Sequence, residues 1–168
     1  MLPSLLWIFR IANILNWVVA ALFALLGIML VADIGPFRDA MDNGRFTPAQ
    51  ADVLVTWLLS ACLMILPVTG AVHVILTRLI AMIRDTMAGA AFSDTNADRL
   101  RMMAWMLLVI NIVDLAFGQV SIWASAQTGE YLGWSLSLTG WFAVPLLLVL
   151  ARLFRVGATM QSDLEGTV

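Results

Sequence analysis

VLVTWLLSACLMILPVTGAVHVILT, residues 53–77, contains no formally charged side chain, and only His73 among its members can gain one near neutral pH. A helix rises 1.5 Å per residue, so a run of this length covers more than the roughly 30 Å of hydrocarbon in a bilayer. The stretch therefore reads as a membrane-spanning helix. Three further runs of the same kind flank it, at 11–32, 102–126 and 131–151. The only formal charge within them is Asp114. The first run is too long for the core of a cleaved signal peptide, which is typically about 7 to 15 residues, and it reads as a retained helix.

Composition agrees. Of 168 residues, 62% are hydrophobic and 12% charged, against roughly 45–50% and about 25% in soluble domains. The expected fold is all-α: one integral membrane domain, a four-helix bundle with short cytoplasmic helical extensions. All nine basic residues are arginine and the formal net charge is -2, which leaves no basic face for direct nucleic-acid binding. One cysteine and one histidine are too few for a disulfide framework or a Cys/His zinc site, so no metal is expected. No Gly-rich phosphate loop, nucleophile elbow or His-Glu-x-x-His sequence is present, and no enzyme class is supported.

The arginines orient the chain, because positively charged loops stay in the cytoplasm. Arg10, Arg78, Arg84, Arg99, Arg101, Arg152 and Arg155 fall on one side, and only Arg38 and Arg45 on the other. Both termini are thus expected on the cytoplasmic side. Trp57, Trp123 and Trp134 are placed near the outer helix ends and Trp7 near the inner boundary, where amphipathic rings settle.

Among the connections, Thr47-Pro48-Ala49-Gln50 closes the outer loop as a helix start. Thr47 is the cap, Pro48 occupies a position whose N–H has no helical partner, and Gln50 reaches back. The cytoplasmic connection keeps apolar spacing at Leu79, Ile80, Ile83 and Met87, breaks at Gly89 and offers caps in Ser93-Asp94-Thr95-Asn96. It predicts a short helical hairpin beyond the membrane, and the stretch after residue 151 also continues as a helix.

Within the bilayer, Asn111, Asp114, Gly118, Ser121 and Ser125 follow steps of three and four along helix three. Unpartnered polar groups are costly in lipid, so this stripe is expected to face other helices or a water-filled cavity, with Gly118 allowing close approach. Asp114 lies near the midplane, with Thr139 level with it and Thr69 about a turn nearer the cytoplasm. It reads either as a proton- or ligand-binding acid or as a packing hydrogen bond that sets helix register. His73 is shallower, close to the level of Asn13 and Asn16, and reads first as a packing residue. Ten methionines and seven tryptophans show no repeated ligand spacing and read as apolar filling, so no cofactor is expected. Ala20, Ala24 and Gly27 form a small-residue seam suited to packing within the bundle or between copies in a homo-oligomer.

Two segments carry a family resemblance. Ala91-Phe92-Ser93-Asp94-Thr95-Asn96-Ala97-Asp98-Arg99-Leu100-Arg101, followed by Trp105, resembles the "P-F-x-x-x-N-x-x-R-L-R" entry to the third helix in the bacterial family known as domain of unknown function 2975. Ala151-Arg152-Leu153-Phe154-Arg155-Val156-Gly157 resembles that family's "A-x-x-F-x-x-G", and the ending Asp163 to Val168 its terminus. Ala91 stands where proline is usual, and Gly166 interrupts the tail. With four matching spans the resemblance covers nearly the whole chain. It implies a four-helix inner-membrane protein of unassigned activity, from a family whose members are often encoded beside a small helix-turn-helix regulator. The leading expectation is a non-enzymatic membrane partner that binds or senses for such a regulator. Its docking face would be Arg99, Arg101, Phe154, Arg155 and the tail from Gln161 to Val168. The alternative is a small proton-linked transporter using Asp114.

Overall fold

The computed structural model describes residues 2–33 and 46–165, and the side chains of residues 4–33 and 46–161. Among them are four helices and no strand: α1 (Leu2–Val31), α2 (Pro48–Met87), α3 (Asp94–Thr128) and α4 (Thr139–Glu165). The chain is all-α, and each helix is long and apolar enough to cross a membrane. In α4 this length necessarily includes Arg152 and Arg155, because its charge-free part is only Thr139–Ala151.

The helix starts follow their local chemistry. Thr47 N donates to Gln50 Oε1 at 2.9 Å and Gln50 N to Thr47 Oγ1 at 3.3 Å, the reciprocal pair of a capping box. Pro48 is the first residue of α2. At α3, Ser93 Oγ accepts from Asn96 N at 3.2 Å. Most of the outer loop between α1 and α2 lies outside the described residues.

The start of the fourth helix differs from expectation. Helix was expected from Tyr131; the chain instead remains non-helical through Leu138 and α4 begins at Thr139. Gly129 and Gly133 have φ of 75° and 64°, a left-handed backbone that glycine tolerates and a helix does not contain. Local bonds favour the non-helical path: Leu132 N donates to Ser125 Oγ at 3.1 Å and Tyr131 Oη to the Trp134 carbonyl at 3.1 Å.

The chain divides into two compact units. One comprises Met1–Asn16, Gly70–Asn111 and Ser137–Val168; the other comprises Trp17–Thr69 and Ile112–Leu136. The second unit buries Ala20, Leu54, Val55, Cys62 and Ala124. Gln50 Nε2 donates to the Thr128 carbonyl at 3.2 Å, joining the start of α2 to the end of α3. The small-residue seam is used here, since a Cβ on Gly27 would lie 3.2 Å from Cys62 Cβ. The first unit holds every arginine among the described residues and buries Ala71, Ile80, Ala97, Leu100, Met103 and Ala104. At its boundary the Arg10 guanidinium lies 5.8 Å from the centre of the Trp7 ring, a cation–π contact suited to the headgroup region.

Candidate functional site

In the arginine-rich unit, the turn between α2 and α3 is organised around Asn96, which is fully buried. Its Nδ2 donates to the carbonyls of Ala90 and Ala91 at 3.2 and 3.0 Å. Its Oδ1 accepts from Arg99 Nη1 at 2.7 Å, and the same guanidinium pairs with the Asp85 carboxylate on α2. Carbonyls that a tight turn would otherwise leave unpaired are thereby satisfied. The hairpin is closed at both the backbone and the side-chain level.

The α4 extension packs onto this hairpin. Phe92 and Phe154 rings meet with centroids 5.1 Å apart and planes at 46°. Phe92 also lies over Gly157, where a Cβ would stand 2.9 Å from its Cδ1. Arg155 reaches Asp98 at 2.6 Å and Asp94 at 3.8 Å. Arg99, Phe154 and Arg155, expected on a docking face, therefore build the platform itself. Arg101 behaves differently: it is exposed and lines a cavity of about 440 Å³ with Arg152, Arg155 and apolar neighbours. The tail from Gln161 onward lies almost wholly outside the described side chains.

The membrane residues divide between the units. In the first, His73 Nδ1 lies 2.9 Å from Asn13 Oδ1. The amide oxygen can only accept, so this bond selects the tautomer with the proton on Nδ1. Asn111 is buried at the midpoint of α3 and packs directly against Gly140, the second residue of α4; a Cβ at 140 would collide with its amide. Among the described residues the Asn111 Nδ2 has no hydrogen-bond acceptor. Thr139 is exposed at the start of α4.

In the second unit, Ser121 is 1% exposed and accepts from Trp57 Nε1 at 2.9 Å. Trp57 is therefore held by the polar stripe, and its ring lies 5.9 Å from that of Phe117. Trp134 was also expected near the boundary. Its indole instead fills the space in front of Gly118, ten residues inside the end of α3, or about 15 Å by the helical rise. Asp114 departs from the stripe. Asn111, Gly118 and Ser121 are buried, but Asp114 is exposed. Aromatic rings cover positions 118 and 121, whereas no hydrogen bond or ion pair of the described residues reaches the Asp114 carboxylate.

Sequence reasoning missed Asp85, Asp94 and Asp98 as ion-pair partners, and the intrusion of Trp134. Asn96 was visible as a motif position and one of several cap candidates, and its bonds to the Ala90 and Ala91 carbonyls and to Arg99 were not. Among the described residues no three His, Cys, Asp or Glu side chains converge as metal ligands.

The segments from Ala91 to Arg101 and from Ala151 to Gly157, which carry the family resemblance, meet at the Phe92–Phe154 contact. The profile of the family described as "Protein of unknown function (DUF2975)" matches residues 38–168, more than three quarters of the chain. The chain belongs to the DUF2975 family. The match covers α2, α3 and α4 and leaves α1 outside, a narrower extent than the nearly whole chain expected. No curated protein and no solved structure matches this DUF2975 chain. In it, Phe92, Asn96, Arg99 and Leu100 of the first motif and Ala151, Phe154 and Gly157 of the second all have packing or hydrogen-bonding roles at the hairpin.

Proposed function

We propose that this chain is a non-enzymatic protein of the bacterial inner membrane, with both termini cytoplasmic, that docks a small cytoplasmic helix-turn-helix regulator. One observation carries the reading. Beyond Arg78, Arg101 and Arg152, the arginines that the positive-inside rule assigns to the membrane edge, Met87, Phe92 and Met160 are 51%, 51% and 63% exposed. Large apolar side chains on a water-facing, ion-paired platform favour a protein partner, and a surface fixed in advance loses little entropy on binding. Arg99, Phe154 and Arg155 hold that surface in shape.

The test is purification of the tagged chain from its native membranes, followed by mass spectrometry. A helix-turn-helix protein should accompany the full chain. It should fall at least about tenfold with Met87→Ser and Met160→Ser together, the effect of losing one modest interface anchor, and be absent when residues 152–168 are removed. Equal recovery with the double variant would overturn the reading, as would absence of such a protein from the full chain.

A second reading, a proton-linked transporter, is favoured by the broken fourth crossing. Discontinuous helices in carriers leave helix ends and polar groups at mid-membrane, and α4 begins beside Asn111, whose amide donor has no partner among the described residues. Asp114 is one turn further along α3. On this reading Asp114→Asn abolishes pH-driven uptake in proteoliposomes, and full retention of uptake eliminates it.

A further inference from the structure

The cavity beside α3 and α4 in the arginine-rich unit has a distinct chemistry. It measures about 440 Å³ and is lined by Arg101, Arg152 and Arg155 together with Leu148, Ala151 and Val156. Arg101 is the last charge before the apolar part of α3, and Arg152 the first after that of α4. The cavity therefore lies where both helices leave the hydrocarbon. Of the three guanidinium groups, only Arg155 is matched by an acid among the described residues, Asp98 and Asp94. Arg101 and Arg152 are exposed and have no ion pair among the described residues. Asp85, the other acid of the hairpin, is held by Arg99.

We infer that this cavity binds the phosphodiester headgroup of an anionic phospholipid, with Arg101 and Arg152 on the phosphate and an acyl chain lying along Leu148. Guanidinium groups present paired donors that fit a phosphate oxygen pair, and they lose less hydration than an ammonium on doing so. Basic pockets between helices at a membrane edge are suited to acidic lipid heads. Leu148, a turn before Arg152 and 37% exposed, supplies the apolar contact that a soluble phosphate cannot use. The apolar floor thus selects a lipid over a free anion. This inference is independent of the docking surface, which lies further along at Met87, Phe92 and Met160.

Native mass spectrometry tests it, on the full chain released from nanodiscs of equal phosphatidylglycerol and phosphatidylcholine. Retained lipid should be predominantly phosphatidylglycerol. Arg101→Gln with Arg152→Gln should reduce that retention by roughly twentyfold or more, taking roughly fivefold per arginine near a charged surface. Arg78→Gln with Arg84→Gln, a control of equal charge outside the cavity, should leave it unchanged. Should the glutamine pair not fold, Arg101→Lys with Arg152→Lys keeps the charge and removes the fork, and a several-fold loss is expected. The inference is overturned if the cavity variants hold phosphatidylglycerol as the wild type does, or if both lipids are carried equally. Displacement of the lipid by millimolar inorganic phosphate would also overturn it, by assigning the cavity to a soluble anion.

Discussion

The indole of Trp134 occupies the space that a side chain on Gly118 would need. The ring packs onto bare helix backbone, and the chain before α4 follows it inward. A methyl group at 118 has nowhere to go unless the ring moves, and forced overpacking costs about 1–3 kcal/mol.

Gly118→Ala should therefore lower stability by about that amount in SDS or thermal unfolding of the purified protein. Trp134→Ala should also be destabilising. The double variant should cost clearly less than the two added together, because residues in contact couple. Simple additivity would show that the ring is not seated at Gly118 in the membrane.

At the hairpin, Asn96 and Arg155 separate buried from exposed polar chemistry. Asn96→Ala removes three hydrogen bonds made from a fully buried position, to the Ala90 and Ala91 carbonyls and to Arg99, a loss of about 1–3 kcal/mol. Arg155→Ala removes ion pairs whose members are 51%, 65% and 78% exposed, and such pairs contribute about 0–1 kcal/mol. Hydrogen exchange of the backbone from Ala88 to Ala97 should accelerate strongly in the first variant and little in the second. Equal acceleration would remove Asn96 from its organising role.

These contrasts also show which features could be seen in the sequence. Charge-free runs and the arginine asymmetry made the first three helices and the hairpin legible, since both signals are local and repeated along the chain. The capping box at Thr47 was legible for the same reason. The start of α4 was not: Tyr131 to Ala151 is uniformly uncharged, and nothing in hydropathy distinguishes a helix from an apolar extended segment. What separates them is Gly133 at φ 64° and a tryptophan that fits against a glycine from another part of the chain. The ion pairs of Arg99 and Arg155 were hidden by distance in sequence, as Asp85 precedes Arg99 by 14 positions and Asp98 precedes Arg155 by 57.

His73 and Asn13 provide a third prediction. The bond uses the His73 Nδ1 proton, and asparagine places its amide nitrogen in nearly the same position. His73→Asn should therefore stay within about 0.5 kcal/mol of wild type, whereas His73→Leu should lose roughly 0.6–1.7 kcal/mol, the range for hydrogen bonds between membrane helices. Combining His73→Leu with Asn13→Leu should cost less than the two single losses added together, because residues in direct hydrogen-bond contact couple. Unfolding titrations of the three variants check the order, and a His73→Asn loss as large as that of His73→Leu would contradict it.

The late start of α4 bears on how the chain enters the bilayer during synthesis. Its charge-free run, Thr139–Ala151, falls short of the roughly 20 apolar residues that cross hydrocarbon alone. The residues ahead of it cannot expose non-helical backbone to lipid without a partner. The fourth crossing reaches spanning length only by taking in Arg152 and Arg155. As the ribosome releases it, α3 has already been made, and Gly118 and Asn111 are there to receive Trp134 and Gly140, so that translation order favours the last passage forming against the third.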